Sequence, residues 1–246
     1  MENILEVCAG DIGSVMAAAE GGAQRVELCA ALALGGVTPS EGFVRAAAAQ
    51  IGVKCHVLIR PREGDFVYTR YEAEIMLDDI DMAARCGATG VVIGALTPDN
   101  RIDADICGTL IERAKEAGLS VTFHRAFDCV ADPLEALETV ISMGADRLLT
   151  SGLARTAMEG ADMLHRLNLH ARGRISLIAA AGVSSANAAQ VLRLSSCHEI
   201  HASARKPVRS LAECSEGGVS SEFYSDTRLT TDAAEVRAIL KAIQKP

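Results

Sequence analysis

The 246-residue chain has no tryptophan, and its five phenylalanines and three tyrosines bring aromatics to only 3%. A core of stacked rings is therefore excluded. The interior must come from Ala, Val, Ile and Leu, the composition of helices packed on a parallel sheet. No C-x-x-C pair occurs among the eight scattered cysteines, which excludes zinc-finger and thioredoxin-type motifs. No apolar run approaches the ~20 residues of a membrane span. Met1-Glu2-Asn3 leads straight into an apolar strand, without the basic start and apolar stretch of a signal peptide. These absences predict a cytosolic chain whose thiols are reduced and mostly buried as small hydrophobes. Basic charge is also scarce. The 24 Lys and Arg face 32 Asp and Glu, a net charge of −8, and the pI is near 5.3. Nucleic-acid binding would need a concentrated positive charge, so that class is disfavoured. What is present is 49% hydrophobic and 23% charged residues, too apolar for intrinsic disorder.

One rhythm runs along the chain. Short β-branched runs alternate with longer segments of helical period. Strands are predicted near residues 5–8, 25–29, 55–59, 90–93, 120–124, 147–150, 176–180 and 199–203. Helices are predicted near 12–20, 40–50, 71–86, 104–117, 133–143, 158–167, 185–194 and 233–243. Asp132-Pro133-Leu134-Glu135 offers a cap, a proline at the first helical position and a glutamate able to reach back. Gly87, Gly118 and Gly144 mark helix ends. Eight such units in about 250 residues are the count of a single-domain (β/α)₈ barrel spanning 1–246. The rival doubly wound sheet lacks the glycine fingerprint of a nucleotide cofactor after its first strand. Residues 206–230 carry no period and are predicted to form an irregular loop over or beside the barrel mouth.

Strand parity then assigns faces, because residues i and i+2 share one. Leu5 and Val7 suit the helix layer, which turns Glu6 and Cys8 inward. By the same argument Glu27, Cys29, His56, Leu58, Arg60, Thr122, His124, His201 and Ser203 face the lumen. A structural barrel would fill that lumen with Val, Ile and Leu. Leu5-Glu6-Val7-Cys8-Ala9 recurs as Val26-Glu27-Leu28-Cys29-Ala30, offset by 21 residues. On neighbouring strands, two carboxylates and two thiols are predicted to converge at the C-terminal rim, with Arg60 and His124 as partners of the carboxylates. Two readings stay open. Cys8 and Cys29 suit a soft ion such as Cu(I), whereas Glu6, Glu27 and His124 suit proton transfer on a small anionic metabolite.

Further candidates cluster at strand ends. Arg60-Pro61-Arg62-Glu63-Gly64-Asp65-Phe66 places two guanidinium groups at the rim, a geometry suited to carboxylate or phosphate. Thr122-Phe123-His124-Arg125-Ala126-Phe127-Asp128 ends a strand on a histidine with an arginine and an aspartate close behind. Ala181-Gly182-Val183-Ser184 opens a helix whose free N–H groups can hold an anion. Arg60, Arg62, Arg125, Gly182 and Ser203 are therefore the candidate anion-binding residues.

The same stretches carry a family resemblance. Together with Arg25-Val26-Glu27-Leu28-Cys29, Gly35-Gly36-Val37-Thr38-Pro39-Ser40 and Leu149-Thr150-Ser151-Gly152, they resemble the CutC-type copper homeostasis proteins from the first strand through the last helix. The resemblance implies a cytosolic, dimeric, single-domain barrel linked to copper tolerance. It also implies Cu(I) capture by the cysteines at positions 8 and 29. Two departures stand out: Glu63 where many members have Gly, and Ala181 where a second Gly is common.

Overall fold

Each of the eight β-branched runs becomes a strand. The computed structural model describes residues 2–50, 52–209 and 227–244. In it β1 (Ile4–Ala9), β2 (Arg25–Leu28), β3 (Lys54–Leu58), β4 (Gly90–Ile93), β5 (Ser120–Phe123), β6 (Arg147–Thr150), β7 (Ser176–Ala179) and β8 (Glu199–Ala202) close into a parallel barrel in sequence order. The connecting helices are α1 (Ile12–Gly21), α2 (Glu41–Ala48), α3 (Arg70–Arg85), α4 (Ala104–Glu116), α5 (Pro133–Ser142), α6 (Ala161–Ala171), α7 (Ala188–Ser195) and α8 (Ala233–Ile243). This is a (β/α)₈ barrel, as the alternation predicts. None of the described helices is long and apolar enough to cross a membrane.

The strand parity holds. Leu5, Val7, Val26, Leu28, Val57, Ile59, Val121, Phe123 and Ile200 all join the one large core between sheet and helices. The lumen carries two small apolar clusters of its own, Cys8–Cys29–Leu58–Val92 and Leu149–Ile178–Ala180. Glu6, Arg25, Glu27, His56, Arg60, Thr122 and His124 are buried among them. Room for the lumenal rings comes from glycine. A Cβ on Gly90 would lie 2.6 Å from the His56 ring, and one on Gly94 would lie 2.5 Å from the His124 ring.

Three local expectations are corrected. Asp132 does cap α5, accepting from the Leu134 and Glu135 N–H groups, but Glu135 pairs with Arg101 instead of reaching back. The reciprocal capping box belongs to α3, between Thr69 and Glu72. Helices α6 and α7 each start three residues later than their apolar period suggests. Before α6 the chain passes Ser151 so closely that a Cβ on Gly160 would lie 1.9 Å from Ser151 O, and before α7 Ser185 donates N–H and Oγ to Glu235 of α8. Third, the ends of the predicted irregular loop are ordered. β9 (Arg205–Arg209) and β10 (Thr227–Thr231) pair antiparallel as a two-stranded ribbon. Most of the ribbon is exposed, with Thr231 buried and Val208 and Thr230 half-buried, so it carries no regular alternation for a sequence reading to detect. The rest of that loop and Cys214 lie outside the described residues.

Candidate metal and anion site at the barrel mouth

The repeated pentapeptides do not sit side by side. Parallel register places Glu6 opposite Arg25 and Cys8 opposite Glu27. The second copy is thus shifted two residues toward the C-terminal rim, as the shear of a closed barrel requires. Glu6 consequently lies one layer below Glu27. The two carboxylates therefore meet at different levels, on the two nitrogens of the His201 ring, and only Glu27 reaches the mouth.

Glu6 is fully buried and does not line the mouth. It accepts from Arg25 Nε, and from His201 Nδ1 at 2.7 Å. Arg25 also binds Glu199, which accepts from Ser176 Oγ at 2.6 Å and lies 3.3 Å from Arg147 Nε. Burial alone would raise the Glu6 carboxyl, but Arg25 and His201 hold it well below the ordinary carboxylate range. It belongs to an ion-pair network beneath the cavity rather than to the cavity lining where a substrate would meet the expected acid or base. Its partners are Arg25 and His201, not Arg60 and His124. Arg25 shares the inward parity of Glu27 and Cys29, and Glu199 that of His201. That parity was the available signal for both.

Above this layer opens a cavity of about 300 Å³, lined by Cys8, Glu27, Cys29, Arg60, Phe66, His124, Arg125, Gly182, His201 and Ser203 among others. Cys8 Sγ lies 3.2 Å from Cys29 Sγ. Both are free thiols, as are the other described cysteines. With Glu27 they form a cluster whose ligand atoms all lie within 4.8 Å of one another. The contact with Cys29 and burial push the Cys8 thiol up, and burial likewise raises the Glu27 carboxyl. His201 is held well above the usual imidazole range despite its burial, through its contacts with Cys8, Glu6 and Glu27.

The remaining candidates divide. His124 accepts the Ala126 N–H at Nδ1, 3.2 Å away, so the neutral ring carries its proton on Nε2. Burial and the nearby Arg60 push its pKa down to about 3. At neutral pH the lone pair is therefore spent on the backbone, and the ring is an N–H donor rather than the expected base. Arg60 is buried, and its guanidinium donates to backbone carbonyls: Gly36 O and Gly64 O at 2.8 Å and Leu34 O at 3.3 Å. Phe66 packs against both residues, its ring centroid 4.9 Å from the Arg60 guanidinium and 5.1 Å from the His124 ring. Arg62 is corrected. It lies outside the cavity lining and is bound to Glu72 at 2.5 Å and Asp65 at 3.0 Å, so it braces its own loop. Arg125 lines the cavity but is paired with Asp128 at 2.7 Å. Asp128 in turn accepts from Thr150 Oγ1, Ser151 N and Leu153 N. The two motifs that contain these residues are thereby locked together. Gly182 (φ +68°) and Ser203 both reach the mouth.

Two thiols and a carboxylate at the barrel mouth thus coincide with the motifs that the sequence shares with a known family. The sequence model of the CutC family matches residues 3–206. The chain belongs to the CutC family. Among the CutC relatives, one from Chromobacterium violaceum is 44% identical over 248 residues, covering 100% of both chains. Another, from Pasteurella multocida, is 42% identical over 243 residues, covering 98% of this chain and 99% of its own. A CutC structure from Streptococcus agalactiae, named for copper homeostasis, superposes with a TM-score of 0.77. It shares 30% identity and covers 82% of this chain and 98% of that one. The family and the fold therefore agree with the resemblance that the motifs carry.

Proposed function

We propose that this CutC protein serves copper homeostasis by holding Cu(I) between Cys8 and Cys29 in the reducing cytosol. One observation carries the reading. Two reduced thiols 3.2 Å apart meet at the floor of the barrel mouth, and Cu(I) prefers sulfur ligands. Both thiols lose a proton on metal binding, so loading is accompanied by proton release. The test is Cu(I) competition against a chromophoric chelator under anaerobic conditions. The Cys8→Ser/Cys29→Ser protein is expected to lose tight binding. Cys107→Ser, in the core between sheet and helices, is expected to bind as wild type. Unchanged affinity in the double variant would remove the copper site from these strands.

A second reading, a barrel enzyme acting on a small carboxylate or phosphate, is favoured by Arg60. This guanidinium has no carboxylate partner among the described residues and lines the same mouth. In that reading Glu27 is the carboxylate available to a substrate, because Glu6 is committed below, and His124 supplies an N–H. Stabilisation of the protein by inorganic phosphate or acetate, lost in Arg60→Gln, would support it.

A further inference from the structure

His201 is the mouth residue whose purpose neither the motifs nor the family name assigns. It sits on β8, directly opposite Glu6 across the strand pair that closes the barrel. Its Nδ1–H is given to Glu6 at 2.7 Å, and that carboxylate is itself gripped by Arg25, which is gripped by Glu199. Three successive buried charges thus fix one ring nitrogen and leave the other, Nε2, facing the cavity. Nε2 lies 3.7 Å from Glu27 Oε2, beyond hydrogen-bond length, and the Cys8 thiol is its other polar neighbour. Nδ1 is spent on the buried frame, while Nε2 is turned to the two mouth groups, Glu27 and Cys8.

We propose that His201 Nε2, releasing its proton to solvent as copper enters, is the third donor of the metal site, completing Cys8 and Cys29, and that Glu6 is its positioning residue. The inference rests on the copper reading above and goes beyond it. A metal-bound histidine characteristically donates its other N–H to a carboxylate, which orients the ring and raises its basicity. The His201–Glu6 bond has that form. The thiol spacing points the same way. With metal–sulfur bonds of about 2.3 Å, a linear two-coordinate ion holds its sulfurs about 4.6 Å apart and a trigonal one about 4.0 Å apart. From the observed 3.2 Å, the trigonal site needs the smaller opening. Glu27 is the group that lies within 4.8 Å of both thiols, but carboxylate oxygen suits hard ions and imidazole suits copper, which selects His201 over Glu27. Imidazole is an accepted copper ligand alongside thiolate.

The experiment uses the full chain loaded anaerobically with one equivalent of Cu(I) from a bathocuproine complex. Copper-edge X-ray absorption of the wild type is expected to show two sulfurs and one nitrogen. His201→Gln keeps an amide donor for Glu6 but offers copper no imidazole, and is expected to show sulfur alone with at least about tenfold weaker binding. Glu6→Gln, which leaves every ligand in place, is expected to weaken binding by about tenfold while retaining the nitrogen scatterer. Sulfur-only coordination in the wild type would overturn the inference, even if His201→Gln failed to fold. So would a folded His201→Gln with unchanged affinity. Neither result touches the copper reading, which falls only if Cys8→Ser/Cys29→Ser still binds.

Discussion

Replacing Arg25 with methionine tests whether the lower layer of the lumen is held by charge or merely filled. Arg25 is buried and bridges two buried carboxylates, Glu6 and Glu199. Methionine approximates the aliphatic stem, so packing changes little and the loss is electrostatic. After the change Glu6 keeps His201 at 2.7 Å, and Glu199 keeps Arg147 at 3.3 Å and Ser176 at 2.6 Å. Neither carboxylate is left bare, so the cost is that of one broken buried pair rather than two, about 3–5 kcal/mol. Against a total stability of about 5–15 kcal/mol that is a large share. With a urea m-value of about 3 kcal/mol/M, the unfolding midpoint is expected to fall by roughly 1–1.7 M. Urea unfolding followed by circular dichroism reads the shift, with an unchanged m-value as the check that the loss lies in the native state. Glu6→Leu combined with Arg25→Met removes both partners, and should cost less than the sum of the single changes by about 0.5–3 kcal/mol. A single-variant loss under about 1 kcal/mol, or strict additivity in the pair, would refute the account of this layer as an interdependent ion-pair network.

Other expectations concern the rings and the glycines beside them. Burial holds both His56 and His124 near a pKa of about 3, whereas in the unfolded chain each titrates near about 6.5. Between those values the unfolded state binds more protons. Each ring therefore withdraws stability as pH falls below about 6.5, at up to about 1.4 kcal/mol per pH unit. Ring NMR signals from both should stay fixed from pH 7.5 to 5, and a midpoint near 6.5 for either would contradict its burial. Gly94→Ala places a methyl 2.5 Å from the His124 ring, and should destabilise by about 1–3 kcal/mol through overpacking. Gly108 in α4 has nothing within 4 Å of an added Cβ, so Gly108→Ala should stabilise by about 0.5–1 kcal/mol. Thermal melts of the two variants moving in the same direction would show that local space does not govern these positions.

The barrel was legible because both of its periods are written in the chain. Leu5, Val7, Val26 and Leu28 declare the outward face, and everything between them is thereby assigned inward. What parity cannot supply is height along the barrel axis. Glu6 meets His201 across 195 residues and Arg25 meets Glu199 across 174, contacts created only when the eighth strand closes on the first. Arg60 and His124 are near the rim as expected, but their polar atoms are largely committed to backbone groups of their own and neighbouring loops. A sequence shows a side chain's charge without showing which local carbonyls or N–H groups will engage it. Arg62 illustrates the same limit, since its partners Asp65 and Glu72 lie only three and ten residues away.

The stagger of the first two strands explains why two nearly identical pentapeptides do different work. Had the copies lain level, Glu6 and Glu27 would share one layer, and their mutual repulsion would force one to stay protonated. Shifted by two residues, Glu6 falls level with Arg25 and His201, while Glu27 rises level with Cys8. The lower carboxylate becomes part of the frame and the upper one faces the cavity. The shift also sets the thiols on a diagonal, Cys8 beside Glu27 and Cys29 farther toward the rim, so they meet by leaning together across the strand pair. Between the two layers stands His201, bonded downward to Glu6 and open upward to Glu27 and Cys8. In the proposed site, a change in the frame would reach the mouth through one imidazole. That coupling gives a physical reason for a buried ion-pair network beneath this site, where apolar side chains would fill the same space at lower desolvation cost.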